Sequence, residues 1–145
     1  MVHEALSGFP VVFSIPAQWG EQDPFGHINN TVYFRWCETA RIQYLEHVGL
    51  NGLMQQRNVG PILAHIGCNF RSPIVYPDTV HVGARVTKIG RSSFTMEHIL
   101  VSDKLGVVAD ASSVLVVYDY GAGKPHPVPD EVRAAIEEIE GSDRG

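Results

Sequence analysis

One stretch of the chain decides its fold: Trp19-Gly-Glu-Gln-Asp-Pro-Phe-Gly-His-Ile-Asn-Asn-Thr-Val-Tyr-Phe-Arg-Trp36. Its first part, from Gly20 to Asn30, is rich in turn-forming residues, and its second part begins a helical pattern that runs from Thr31 to Val48. Apolar residues at helical spacings cover most of that helix and leave a single polar stripe. A helix of this kind is surrounded on most sides, so we expect it at the centre of the fold.

Five strand-like segments accompany this helix, one before it and four after it. Strands that follow one another without a long helix between them form antiparallel sheets. The pattern therefore predicts an α+β protein in which a curved antiparallel sheet wraps around the long central helix. The predicted strands are Phe9–Ile15, Ile62–Phe70, Thr79–Val86, Ser92–Ser102 and Gly106–Tyr118, and a short helix is predicted from Pro129 to Glu140.

The length and the absence of repeats predict one domain. A chain of 145 residues suffices for one hydrophobic core. We expect this domain to span residues 9–140, with a flexible N-terminus at residues 1–8 and a flexible tail at residues 141–145.

Charge and composition exclude several classes of protein. The formal net charge of -5 argues against nucleic acid as the main partner, because a phosphate backbone needs a basic face. No apolar run approaches the roughly 20 residues that span a bilayer, and the N-terminus does not read as a signal peptide. Cys37 and Cys68 are too few for a disulfide framework and are interpreted as reduced thiols, with Cys37 in the core. These features predict a cytoplasmic protein.

The turn before the long helix holds the candidate for chemistry. Asp23 lies seven residues before Asn30, where the helix begins. A helix start presents unpaired N–H groups and a partial positive charge, which polarise a carbonyl and stabilise an oxyanion. Asp23 could attack such a carbonyl as a nucleophile or act as a base on water. The alternative is that Asp23 only shapes a turn, since Asp before Pro is a common turn signal.

The run from Asp23 to Trp36 resembles the signature of the hotdog-fold thioesterases of the 4-hydroxybenzoyl-CoA thioesterase type. The resemblance is strongest over residues 19–48, and the order of the remaining strands agrees with the hotdog fold. It implies an acyl-CoA thioesterase that needs no cofactor, with coenzyme A as part of the substrate. It also implies a homodimer or homotetramer with the site at a subunit interface. The form Gly26-His27-Ile28-Asn29-Asn30 is closer to acyl thioesterases of broad specificity than to the hydroxybenzoyl enzymes, so the acyl group stays open.

The resemblance also assigns roles to single residues. Asp23 matches the family's catalytic aspartate, and Asn30 matches the residue whose backbone N–H binds the thioester carbonyl. Gly26 matches the turn glycine that lets the chain pass close to the substrate. His27 could serve as a base or a substrate donor, or simply bond to backbone as a turn histidine. Asn29 could hold the substrate or water, and capping the helix is an alternative with at least equal support from the sequence.

Three further candidates lie beyond the turn. Tyr33 is a candidate substrate contact, although apolar spacing alone explains it as a core residue. The basic turn with Lys88 and Arg91 resembles the family's contact with the nucleotide phosphates of coenzyme A, and the alternative is a solvated hairpin tip. Arg71 is a weaker candidate for the same contact. The histidines and cysteines show no zinc-type spacing, so no metal is predicted.

Other functions remain as alternatives. An acyl-carrier-protein thioesterase would keep the fold and change the carrier, and a non-catalytic acyl-CoA-binding module would bind without turnover. A hotdog-type hydratase has less support, because the later strands lack an Asp/His pairing. The chain has no Gly-x-Ser-x-Gly elbow and no phosphate-binding glycine loop, so serine hydrolases and nucleotide hydrolases are not supported.

Overall fold

The computed structural model describes residues 3–141. Its helices and strands follow one another in an α+β order, as the sequence predicts. The strands are β1 (Val11–Pro16), β2 (Val59–Phe70), β3 (Thr79–Ile89), β4 (Ser93–Ser102), β5 (Gly106–Asp119) and β6 (Lys124–Pro125). The helices are α1 (Asn30–His47), α2 (Leu50–Arg57) and α3 (Asp130–Glu140), and short 3-10 helices cover Glu4–Leu6 and Trp19–Glu21.

The strands form one antiparallel sheet in the order β1-β3-β4-β5-β2, with β6 paired to the end of β5. The sheet curls around α1, so the predicted arrangement of a curved antiparallel sheet on a central helix is confirmed. Strands β1 and β2 are the two edges of the path. A bulge between Leu63 and His65 shifts the register of β2 against β5.

The core lies between α1 and the concave face of the sheet. Trp36, Ala40 and Tyr44 of α1 are buried, and so is Cys37, as predicted. Alternate residues of the inner strands meet them, because successive side chains of a strand point to opposite faces. The sheet residues of the core include Val80, Val82, Ala84, Phe94, Met96 and Leu100.

The sequence did not predict α2. Gly49 adopts a left-handed conformation with φ 84°, ends the run of α1 and allows a second helix to start at Leu50. This helix has eight residues, of which only Leu50 and Leu53 are buried. Two buried positions are too few for the apolar repeat that identified α1.

Two ends of the sheet have to be distinguished. At one end, Pro16 of β1 pairs with Thr79 of β3, next to the turn that precedes α1. At the other end, β3 and β4 are joined by a hairpin with Ile89 opposite Phe94. The length of β3 separates the two ends by about 36 Å, at roughly 3.3 Å per residue.

The N-terminal segment lies on the sheet. Its 3-10 helix buries Leu6, and the Arg85 guanidinium stacks over the Phe9 ring at 4.3 Å. The predicted flexibility of residues 1–8 stays a prediction, and residues 1–2 and 142–145 lie outside the described part of the chain.

Two basic side chains lie within the core. His98 of β4 is 2% exposed, and its Nδ1 lies 3.2 Å from the Gly83 carbonyl oxygen. Burial and the nearby Arg41 guanidinium lower the pKa of His98 to about 4. His98 is therefore neutral near pH 7, and its Nδ1 donates to the Gly83 carbonyl.

We predict that His98 makes the protein sensitive to acid. An unfolded histidine binds a proton below about pH 6.5, whereas folded His98 resists it until about pH 4. The unfolding free energy therefore falls by about 3 kcal/mol as the pH drops through this window. Urea unfolding of the wild type and of His98→Gln, measured from pH 7 to pH 4, checks this.

The variant should lose that part of the pH dependence, even if it is less stable throughout. His47→Gln, at the exposed end of α1, is the control and should keep it. An unchanged slope in His98→Gln would contradict the assignment.

Candidate active site

The turn before α1 is closed by backbone hydrogen bonds. The Asp23 N–H donates to the His27 carbonyl at 2.8 Å, and the Gly26 N–H donates to the Asp23 carbonyl at 3.0 Å. Gly26 has φ 83°, a left-handed conformation that favours glycine. This conformation is the physical reason for glycine at position 26, which the resemblance singled out as the turn glycine.

The Asp23 carboxylate is held by the same turn. Its Oδ1 accepts from the N–H groups of Phe25 at 2.9 Å and His27 at 3.3 Å. Through Oδ1, Asp23 therefore shapes the turn, as the alternative interpretation proposed. Among residues 3–141, no donor reaches Oδ2, so the turn fixes the orientation of the carboxylate and leaves one oxygen open for chemistry.

The start of α1 has one open N–H group. Asn29 caps the helix, since its Oδ1 accepts from the Thr31 N–H at 2.9 Å, and the Val32 N–H donates to the Asn29 carbonyl at 2.9 Å. The Asn30 N–H has no acceptor within the described part of the chain. Helix capping, the alternative that the sequence offered for Asn29, is therefore the role that its side chain has in the structure.

Asp23 and Asn30 line one cavity of about 330 Å³. That volume is at the lower end of the range for small-molecule sites, roughly 300–1,000 Å³. The Tyr33 ring forms part of its wall and stacks edge-to-face on Phe70, with ring centroids 5.0 Å apart. The other residues of the lining are Ile28, Arg71, Ser72 and Pro73.

Arg71 is fixed beside this cavity. Its Nε donates to the Asp110 carboxylate, which also accepts from Asn69 Nδ2 at 2.9 Å. These two donors lower the pKa of Asp110, so the ion pair persists near neutral pH. From the sequence, Arg71 was only a weak candidate for contact with the nucleotide phosphates of coenzyme A. In the structure it lines the cavity of Asp23.

The other predicted site residues lie either near the Asp23 turn or at the β3–β4 hairpin. Gly26, His27 and Asn29 belong to the turn but do not line the cavity. Tyr33 is buried, as the core interpretation predicts, and burial raises its pKa. Lys88 and Arg91 are exposed at the β3–β4 hairpin, which is the opposite end of the sheet from Asp23.

Sequence reasoning did not find the far wall of the cavity. Phe70 and Pro73 approach the turn because the Ile28 N–H donates to the Ile74 carbonyl at 2.8 Å. That bond joins positions more than 40 residues apart, and no local pattern reports such a contact. The only available signal was the Ser72-Pro73 pair, which marks the end of β2.

Within residues 3–141, no group of three or more His, Cys, Asp and Glu side chains is arranged to hold a metal ion. The prediction of a metal-free site stays a prediction. In the same range, no helix is both long enough and apolar enough to cross a membrane.

The sequence matches the model of a known family over residues 17–136, which include the turn, α1 and most of the sheet. The chain belongs to the thioesterase-like superfamily. A thioesterase of Thermus thermophilus, whose structure holds coenzyme A and zinc, superposes with a TM-score of 0.82 at 32% identity. The match covers 92% of this chain and 96% of the Thermus chain. The hotdog fold is therefore confirmed.

Two curated relatives extend the comparison. The long-chain acyl-CoA thioesterase FadM of Escherichia coli (strain K12) is 26% identical over 118 residues, covering 81% of this chain and 89% of FadM. The chloroplastic acyl-acyl carrier protein thioesterase ATL3 of Arabidopsis thaliana is 27% identical over 117 residues, covering 79% of this chain and 60% of ATL3. These two proteins are named for different carriers of the acyl group.

We predict that the Asn29 cap contributes measurable stability at this site. Asn29→Ala removes the acceptor of the Thr31 N–H and should lower the unfolding free energy by about 1 kcal/mol. Asn29→Asp keeps an acceptor and should retain most of that stability. Urea denaturation of the three proteins makes the comparison, and equal losses in both variants would argue against a capping role.

Proposed function

We propose that the protein is an acyl-CoA thioesterase that uses Asp23 as its reacting carboxylate. The observation that carries this proposal is the shared cavity: Asp23, which has one open carboxylate oxygen, and Asn30, which has an open N–H, line the same 330 Å³ space. One group supplies a negatively charged oxygen, and the other supplies a hydrogen-bond donor at the positive end of a helix. Hydrolysis of a thioester needs both at one carbonyl group.

In the proposed reaction, the thioester carbonyl oxygen accepts a hydrogen bond from the Asn30 N–H. Polarisation by the helix start makes the carbonyl carbon more electrophilic and stabilises the oxyanion. Asp23 then attacks that carbon, forming a mixed anhydride that water hydrolyses, or removes a proton from an attacking water. The thiolate of coenzyme A leaves readily, so a strong general acid is not required.

The surrounding residues have supporting roles in this proposal. Gly26 gives the turn its left-handed conformation, and the His27 N–H helps to orient the Asp23 carboxylate. Asn29 keeps the first turn of α1 in place by its cap. Tyr33 and Phe70 form an aromatic wall against which an acyl group packs.

We further propose that the complete site needs two subunits. Lys88 and Arg91 are the residues expected to bind the nucleotide phosphates, yet they lie at the opposite end of the sheet from Asp23. A twofold axis beside β2 would bring the hairpin of one subunit towards the cavity of its partner. Two features support such an interface: the outer edge of β2 pairs with no strand within residues 3–141, and Phe25 and Phe70 are 83% and 46% exposed. A dimer is the smallest assembly with this arrangement, and a tetramer of two dimers would keep it.

The nearest rival is hydrolysis of an acyl carrier protein thioester. The similarity to ATL3 supports it, although the match covers 60% of ATL3 and 89% of FadM. Rates on matched acyl groups carried by coenzyme A and by carrier protein distinguish the two. A non-catalytic acyl-CoA-binding module would bind these compounds and release no thiol.

We predict that Asp23→Asn removes most thioesterase turnover. The amide keeps the size of the carboxylate but is neither a nucleophile nor a base, so kcat should fall by at least about a hundredfold. Thiol release from short, medium, long and aromatic acyl-CoAs is measured for both proteins, together with acyl-CoA binding and thermal unfolding. Near-normal rates in a folded Asp23→Asn variant would sink the mechanism, and an inactive wild type that binds acyl-CoA would favour the binding module.

We also predict that two damaged variants restore each other. Asp23→Asn lacks the reacting carboxylate, and Lys88→Ala/Arg91→Ala lacks the basic turn. In a mixed dimer, one site combines Asp23 of one subunit with the basic turn of the other. Mixtures refolded together and assayed at low acyl-CoA concentration should therefore exceed the summed activities of the separate variants. Strictly additive activity would argue against a site shared between subunits.

A further inference from the structure

A serine, a histidine and an aspartate form a continuous chain of hydrogen bonds on the outer face of the sheet. The Oγ of Ser14 on β1 lies 2.6 Å from Nδ1 of His81 on β3. The Nε2 of the same imidazole lies 2.8 Å from Oδ1 of Asp103. The three residues are widely separated in the sequence, which is why no sequence motif announced them.

The hydrogen bonds determine how His81 holds its proton. The Asp103 carboxylate only accepts, so Nε2 of the neutral imidazole carries the hydrogen and donates it. Nδ1 is then a bare acceptor, and the Ser14 hydroxyl donates to it. The roles are those of a serine–histidine–aspartate triad with the two ring nitrogens exchanged, because Nδ1 faces the serine as the base and Nε2–H faces the orienting carboxylate.

The backbone of Ser14 supplies a further donor. The Ala17 N–H donates to the Asp78 carbonyl at 2.8 Å, one step beyond the paired residues Pro16 and Thr79. Hydrogen-bonded and non-hydrogen-bonded pairs alternate in an antiparallel ladder. Ser14 and His81 are therefore a non-hydrogen-bonded pair, and the Ser14 N–H points to the open edge of the sheet. Pro16, which has no N–H, occupies an equivalent position, as expected at an edge.

An apolar groove of about 410 Å³ adjoins this chain of hydrogen bonds. Leu6, Val12 and Val101 supply its apolar walls, and Ser14, His81 and Asp103 line it as well. No residue of this lining also lines the cavity of Asp23. The outer face of the sheet thus combines a nucleophile, an oriented base and a groove for an apolar group, away from the cavity of Asp23.

We propose that Ser14, His81 and Asp103 form a second nucleophilic site, which reacts with uncharged carboxylic esters that carry a small apolar acyl group. The Ser14 Oγ forms a bond to the acyl carbon, and its proton moves to His81 Nδ1. The carbon–oxygen bond of the ester then breaks, and the proton passes to the departing alkoxide. Water hydrolyses the acyl-serine by the same steps, while the Ser14 N–H donates to the carbonyl oxygen in both stages.

The test uses the full chain carrying Asp23→Asn, because the proposed thioesterase site is inactive in this variant. The protein is treated with 4-nitrophenyl butyrate, an activated ester, and with a fluorophosphonate, which reacts with activated serines. We expect one adduct per chain, located on Ser14 by peptide mass spectrometry. Adding His81→Gln should slow its formation by roughly a hundredfold, the scale of general base catalysis.

Two serine variants make the control. Ser14→Ala should abolish the adduct and the release of 4-nitrophenol, whereas Ser112→Ala, on the same outer face, should change neither. Circular dichroism and thermal unfolding of Ser14→Ala in the otherwise native chain should match the wild type, which shows that the chain still folds. An adduct elsewhere, no adduct at all, or equal reactivity with and without His81 would overturn the proposal and leave a polar cross-strand contact. Thioesterase failure alone does not affect these outcomes.

Discussion

The hydrogen bond from the Ile28 N–H to the Ile74 carbonyl, 2.8 Å long, is the contact on which the site depends. It ties the turn before α1 to the segment that leads into β3. On one side of the bond, the chain enters the buried helix, and on the other it leaves the end of β2. Because this hydrogen bond holds the two segments together, Phe70 and Arg71 lie close to the Asp23 turn and line the same cavity. The contact between the Tyr33 and Phe70 rings joins the same two walls nearby.

The turn itself combines two demands that often conflict. A turn residue uses its side chain to satisfy neighbouring N–H groups, and a reactive carboxylate needs a free oxygen. Asp23 meets both demands because a carboxylate has two oxygens, and only Oδ1 is engaged by Phe25 and His27. The structural and chemical interpretations of Asp23 are therefore compatible, and the structural one explains how the chemical one is oriented.

The sequence predicted the parts of the molecule that local patterns encode. The helix expected over Thr31–Val48 occurs over Asn30–His47, because its apolar repeat is long and its cap is adjacent. The strand predicted over Ile62–Phe70 occurs as β2 over Val59–Phe70, and no local pattern announced the bulge near Leu63. The proximity of Asp23 to the start of α1 was also readable, since the two are neighbours in the chain. Contacts formed across the fold, such as the wall at Phe70 and the Ser14–His81 pair, have no local signature.

The separation of Lys88 and Arg91 from the cavity also bears on how a substrate is recognised. Within one subunit, Lys88 and Arg91 lie at the hairpin end of β3, and Tyr33 lies at the cavity near the other end, so a substitution in one group is remote from the other. In the proposed function, a substitution around Tyr33 changes the acyl pocket, while the carrier contact at Lys88 and Arg91 keeps its geometry. The acyl group and its carrier would then be recognised by opposite ends of one sheet.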